Sequence, residues 1–164
     1  MLPFLIALTF CGTMIYAAVS DLLFMKISNF ACLFLAGAFI LLASFYGLPV
    51  KDILLHLATG GAALIICFGL FYLNAMGGGD AKLISATVIW TGFSAGLVQY
   101  LLISAIAGGI LTLLILLLRK CINRSKIEHI SFLYRLTDSA KGIPYGIALA
   151  IAGLWIYPQL PIVS

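Results

Sequence analysis

The run LISATVIWTGFSAGLVQYLLISAIAGGILTLLILLL, Leu83 to Leu118, holds 36 residues without one charge. As a single helix it would be ~54 Å long, against a bilayer hydrocarbon core of ~30 Å, so it should cross twice. The turn is expected around Gly92-Phe93-Ser94-Ala95-Gly96, where glycine and serine cluster. Gly108-Gly109 is the rival break, although small residues in mid-span also mark close helix packing. How this run divides sets the side on which every other loop falls.

Working outward, uncharged segments lie at roughly 2–20, 30–47, 57–75 and 142–157, each near the length a spanning helix needs. The expected fold is an all-α polytopic membrane protein of about six transmembrane helices, forming one integral-membrane domain over residues 1–164. Composition excludes a soluble domain: hydrophobic residues make up 64% of the chain and charged residues 9%, with mean hydropathy +1.23. No Lys or Arg precedes Asp21, which argues against a cleaved signal peptide. Cys11, Cys32, Cys67 and Cys121 show no metal or disulfide spacing and are expected to be packed as small hydrophobes.

Six crossings place the loops at 21–29, 76–82 and 119–141 on one side. They carry Lys26, Lys82, and the group Arg119, Lys120, Arg124, Lys126, Arg135 and Lys141, which is eight of the nine basic residues. The positive-inside rule assigns that side to the cytoplasm and puts both termini outside. Lys51, Asp52 and His56 fall in the outer loop at 48–56 and read as solvated.

The same parity brings two acids together. The chain has only five acidic residues. Asp21 ends the first apolar stretch, and Asp80 closes Gly77-Gly78-Gly79-Asp80 before the next. Both fall at cytoplasmic helix ends, although 59 residues separate them. A carboxylate near bilayer depth is costly unless it is paired, which makes it a functional-site candidate, and two that meet can divide acid and base roles. Gly77 and Gly79 lack a Cβ, so an extended peptide can lie close beside the carboxylate. The structural alternative is a hinge whose Asp80 caps the following helix. Lys82 can hold a substrate carbonyl or simply mark topology, and Asn29 opens the second span as a candidate cap. Pro144 suits the first turn of the last helix, with Tyr145 at the membrane interface. The 119–141 loop interleaves basic residues with Ile127, Ile130, Leu133 and Leu136 at helical spacing. That pattern fits an amphipathic helix on anionic lipid, with no nucleic acid as partner and with His129 solvated.

Three segments together resemble the type IV prepilin peptidase family of GxGD membrane aspartic proteases, in the short form associated with Flp (Tad) pili. They are Asp21 with Lys26-Ile27-Ser28-Asn29 beyond it, Met76-Gly77-Gly78-Gly79-Asp80-Ala81-Lys82-Leu83, and Ile143-Pro144-Tyr145-Gly146-Ile147-Ala148. Ser28 stands where the family has proline, and Leu22 to Met25 lack the basic residues often found there. The resemblance implies a bacterial cytoplasmic-membrane endopeptidase acting on prepilins and pseudopilins, with Asp21 and Asp80 catalytic and Gly77, Gly79 and Lys82 supporting. Such substrates carry a short basic leader ending in glycine, followed by a hydrophobic helix. No metal or organic cofactor is implied. Larger members add a cysteine-bearing region and N-methylate the product; this chain lacks that region, so methylation is not expected. The competing class is a small ion- or proton-coupled carrier using the same aspartates, though carriers place such sites near the midplane.

Overall fold

The structure is a computed structural model, and it describes residues 1–121, 136 and 142–163. Six α-helices are present among the described residues: α1 (Leu2–Phe24), α2 (Asn29–Tyr46), α3 (Val50–Tyr72), α4 (Gly78–Thr91), α5 (Ala95–Cys121) and α6 (Gly146–Ile156). A 3₁₀ turn, Tyr157–Gln159, follows α6.

The long uncharged run divides at the expected place. α4 stops at Thr91, Gly92 adopts φ 56°, and α5 begins at Ala95. An L side chain rarely adopts that backbone conformation, so glycine is the natural residue at the break. Gly108-Gly109 remains inside a continuous α5.

Four helices, α1, α2, α3 and α5, are long and apolar enough to cross a membrane. The other two are short. α4 has 14 residues and α6 has 11, so α4 is ~21 Å long against a ~30 Å hydrocarbon core. These two are also the most enclosed elements. α4 packs against α2 and α3, α6 lies between α1 and α5, and α4 and α6 touch. Ile6, Phe10, Leu35, Phe39, Leu83, Trp90 and Leu149 form the centre of the core, each at most 1% exposed.

α4 is held along its length. Ser85 donates to the Gly60 carbonyl of α3, and the Trp90 indole donates to the Leu35 carbonyl of α2. Trp90 also meets Phe10 and Phe39 with ring centroids 5.2 and 5.6 Å apart. Those contacts anchor the C-terminal half of α4, far from Asp80. In lipid, packing and interhelical hydrogen bonds rather than apolarity hold helices together.

Several boundaries differ from expectation. The outer loop is shorter, because α3 starts at Val50 behind Pro49. Lys51 and Asp52 therefore lie exposed in its first turn. His56 is not solvated: its Nδ1 is 2.7 Å from the Ile89 carbonyl and its ring stacks on Phe39. Ser28, rather than Asn29, takes the N-cap position of α2. Pro144 precedes α6 instead of starting it, with Tyr145 as N-cap. Tyr145 packs on Gly108 of α5, and its hydroxyl donates to the Ser104 carbonyl at 3.4 Å. Of the cysteines, Cys32 and Cys67 are buried, Cys11 is half-buried and Cys121 is exposed. α5 runs on through Arg119 and Lys120 to Cys121. The expected amphipathic helix beyond it, with His129 and the anionic-lipid contact, lies outside the described residues.

Candidate active site

Asp21 sits in the last turn of α1. That helix ends because Met25 takes a left-handed conformation, φ 53°, and its N–H closes onto the Asp21 carbonyl. The chain then turns through Lys26 and Ile27 into α2, steadied by the Ser20 hydroxyl donating to the Lys26 carbonyl. Asp80 occupies the first turn of α4, three residues after the N-cap Gly77. Both acids thus come from helix termini at the same end of the bundle.

The two carboxyls line one cavity of about 760 Å³. Its wall also includes Gly77, Gly78, Gly79, Ile27 and Asn29, together with Gly142, Ile143 and Tyr145. Asp21 is 6% exposed, whereas Asp80 is half-buried. The Asp80 carboxylate folds back toward its own N-cap: a Cβ added to Gly77 would fall 2.8 Å from Oδ2. Gly79 faces the other way, against Ile27 of the α1–α2 turn. The glycine run is therefore both wall and contact surface.

One partner escaped the sequence reading. The Gly146 amide, first in α6, donates to Asp21 Oδ2 at 2.7 Å. A Cβ at Gly146 would lie 2.8 Å from that oxygen and 3.0 Å from the Asp21 Cβ, so a side chain there must displace the carboxylate. In the sequence Gly146 stands only as one member of the stretch Ile143–Ala148, with no charge or polar group of its own. Helix N-termini present unpaired N–H groups to anions, which is the general signal that could have flagged it.

Lys82 lies elsewhere. It is not among the residues that line the aspartate cavity, and its ammonium donates to Asn29 Oδ1 at 2.8 Å, joining α4 to the start of α2. Asp52 is at the opposite end of the bundle, in the first turn of α3. Among the described residues, no three His, Cys, Asp or Glu side chains gather closely enough to hold a metal ion.

A family model described as the type IV leader peptidase family matches residues 8–113. The chain belongs to that family. The match takes in both aspartates, the glycine run and most of α5, while α6 lies beyond it. No match was found among curated proteins or among solved structures. Membership gives this leader peptidase homologue its general activity, that of a membrane peptidase. α6, outside the matched segment, supplies the Gly146 amide that holds Asp21.

Proposed function

We propose that the protein is an endopeptidase that removes the short basic leader of prepilins and pilin-like proteins, with Asp21 and Asp80 as its catalytic pair. The observation that carries this reading is the meeting of two carboxyls, from α1 and α4, in one open cavity walled by Gly77–Gly79. Asp52, the remaining acid among the described residues, has no such setting.

Two carboxyls facing one cavity favour a shared proton over two negative charges. The ionised member takes a proton from a water, whose oxygen attacks the scissile carbonyl carbon. The protonated member gives its proton to the carbonyl oxygen. Collapse of the tetrahedral species breaks the C–N bond, and a proton returns to the leaving amine. The pair titrates as a unit, so the roles belong to the pair. The Gly146 amide holds Asp21 in place throughout. The glycine run leaves room for an extended peptide, as a helical substrate would hide its carbonyl.

The cavity end of the bundle carries Lys26, Lys82, Arg119 and Lys120, so the proposed orientation faces it to the cytoplasm of a bacterial inner membrane, with both termini outside. The placement of the acids at one end, rather than in mid-bundle, favours the peptidase over an ion-coupled carrier. N-methylation is not part of the proposed activity.

The test is co-expression with a prepilin, reading leader removal as a size shift on a gel. Asp21→Asn and Asp80→Asn should each abolish trimming at normal membrane levels, while Asp52→Asn trims normally. An Asp80→Asn protein that still removes the leader would end the aspartic mechanism. Orientation is checked separately, in a variant with the native cysteines replaced. An impermeant thiol reagent should label Lys51→Cys in intact spheroplasts and Lys120→Cys only after lysis; the reverse pattern inverts the topology.

A further inference from the structure

A second cavity, of about 820 Å³, runs between α2, α3 and α4 beside the first. Asn29 lines both. The hydrogen-bonded Asn29–Lys82 pair forms the polar head of this groove, next to the aspartates. From there it follows α3 from Phe68 back to Leu57. Eleven helical steps make ~16 Å, about half of the ~30 Å hydrocarbon core.

Its lining changes character away from the head. Ala36, Gly60, Gly61 and Ala86 form a floor of small residues. Leu33, Ile65 and Phe68 stand up as rims, 72%, 76% and 61% exposed. Ser85 has already given its proton to the Gly60 carbonyl, so its polarity is spent inside the bundle. A small-residue floor between apolar rims is the shape that lets another helix approach closely in lipid, where association depends on van der Waals contact.

Resting on the peptidase reading above, we propose that this groove receives the first eleven or so residues (by its ~16 Å length) of the hydrophobic helix that follows the scissile bond. The peptide on the leader side of that bond lies in the aspartate cavity. The assignment follows from continuity and chemistry. A substrate cut at Asp21 and Asp80 must leave the cavity into the bilayer, and its next segment is an apolar helix. The groove begins where the cavity ends, is apolar, and is long enough to grip the upper half of such a helix. It sets specificity by helix packing, separately from the chemistry at the bond.

Gly61 permits a clean test. A Cβ there meets nothing within 4 Å, and the same holds at Gly69 on the same helix, which does not line the groove. Gly61→Phe therefore enters the groove from an uncrowded Cβ position, and Gly69→Phe, equally uncrowded at its Cβ, is the matched control. With a full-length prepilin in proteoliposomes, Gly61→Phe should raise KM about tenfold with kcat little changed, the loss expected of one helix-packing contact. Gly69→Phe should leave both constants unchanged. In a second measurement, a photocrosslinking amino acid at Ile65, in the Asp80→Asn background, should capture the early turns of the prepilin helix. An unchanged KM for Gly61→Phe, or crosslinks only to lipid or to a second copy of this chain, overturns the groove assignment while the peptidase reading stands. If the unaltered protein fails to cleave the prepilin, the peptidase reading itself falls, whereas the Ile65 crosslink still reports on docking.

Discussion

Most of α4 and most of α5 come from the same uncharged run, and they occupy opposite surroundings. From Leu83 to Thr91 every residue of α4 is buried. α5 buries only a stripe, Gly96, Tyr100, Ser104, Gly108 and Ile115, and turns Leu102, Ile106 and Leu113 outward at 58%, 63% and 62% exposure. When the outer solvent is lipid, apolarity does not select the interior. Small and hydroxyl-bearing residues do, because they allow close backbones and can satisfy one another. Ser85, Thr87 and Thr91 in α4 each find a carbonyl acceptor. The lipid-facing leucines of α5 need no partner. α4 also carries Asp80, three residues before the run begins, so the enclosed helix is the one of the two that reaches the cavity.

The largest effect that could break this contrast lies at the head of α4. Asp80→Asn should take prepilin cleavage below detection on a gel, and in an assay sensitive enough to read the residual rate the Asp21→Asn/Asp80→Asn double variant should be scarcely slower than either alone, as members of one unit are not additive. The same loss of polarity on α5, Gln99→Leu at an exposed position, should leave cleavage intact. If the double variant multiplied the single losses, the two acids would be acting independently.

The next effect tests how α6 serves the site. Gly146→Ala places a methyl 2.8 Å from Asp21 Oδ2 and should lower kcat by about 10²-fold, the order expected when a catalytic group shifts by an ångström. Membrane levels should hold, since the atoms nearest the added methyl belong to the side chains of Asp21 and Ile27 and not to backbone. Gly109→Ala, with nothing within 4 Å, is the comparison and should match the unaltered protein. Equal activity of the two variants would remove Gly146 from the list of positioning groups.

A packing test follows, with one truncation on each helix. Leu83 is 0% exposed and Leu113 is 62% exposed. Leu83→Ala should cost about 2 kcal/mol or more in reversible unfolding from detergent, through lost contacts and a cavity. Leu113→Ala should stay within about 0.5 kcal/mol. Similar losses at both sites would mean that α5 is covered by protein rather than lipid.

The smallest effect sharpens the anchoring of α4. Trp90→Phe keeps an aromatic ring but loses the indole bond to the Leu35 carbonyl, 3.0 Å in the native protein. About 1 kcal/mol of stability should go with that bond, and cleavage should change little because Trp90 lies at the far end from Asp80. A large fall in kcat would show that the far end sets the position of Asp80.

The sequence by itself settled what depends on local causes. Charge cannot enter the bilayer cheaply, so the uncharged runs marked the helices, and the cluster Gly92-Phe93-Ser94-Ala95-Gly96 marked where the longest run turns. The parity of those helices then put Asp21 and Asp80 at one end of the bundle, where the cavity contains both. It put residues 78–82 in a loop although they open α4, and took 142–157 as one span although α6 covers only Gly146–Ile156, since a short helix surrounded by longer ones is as apolar as a spanning one. What only the tertiary structure decided are meetings across long separations. Gly146 donates to Asp21 over 125 positions, Lys82 to Asn29 over 53, and His56 meets the Ile89 carbonyl over 33. Periodicity and charge describe a helix's own faces, and say nothing about which carbonyl or amide of another helix each face will meet. That pairing is fixed by shape and by the need to satisfy every polar group in lipid, and both arise only once the bundle has closed.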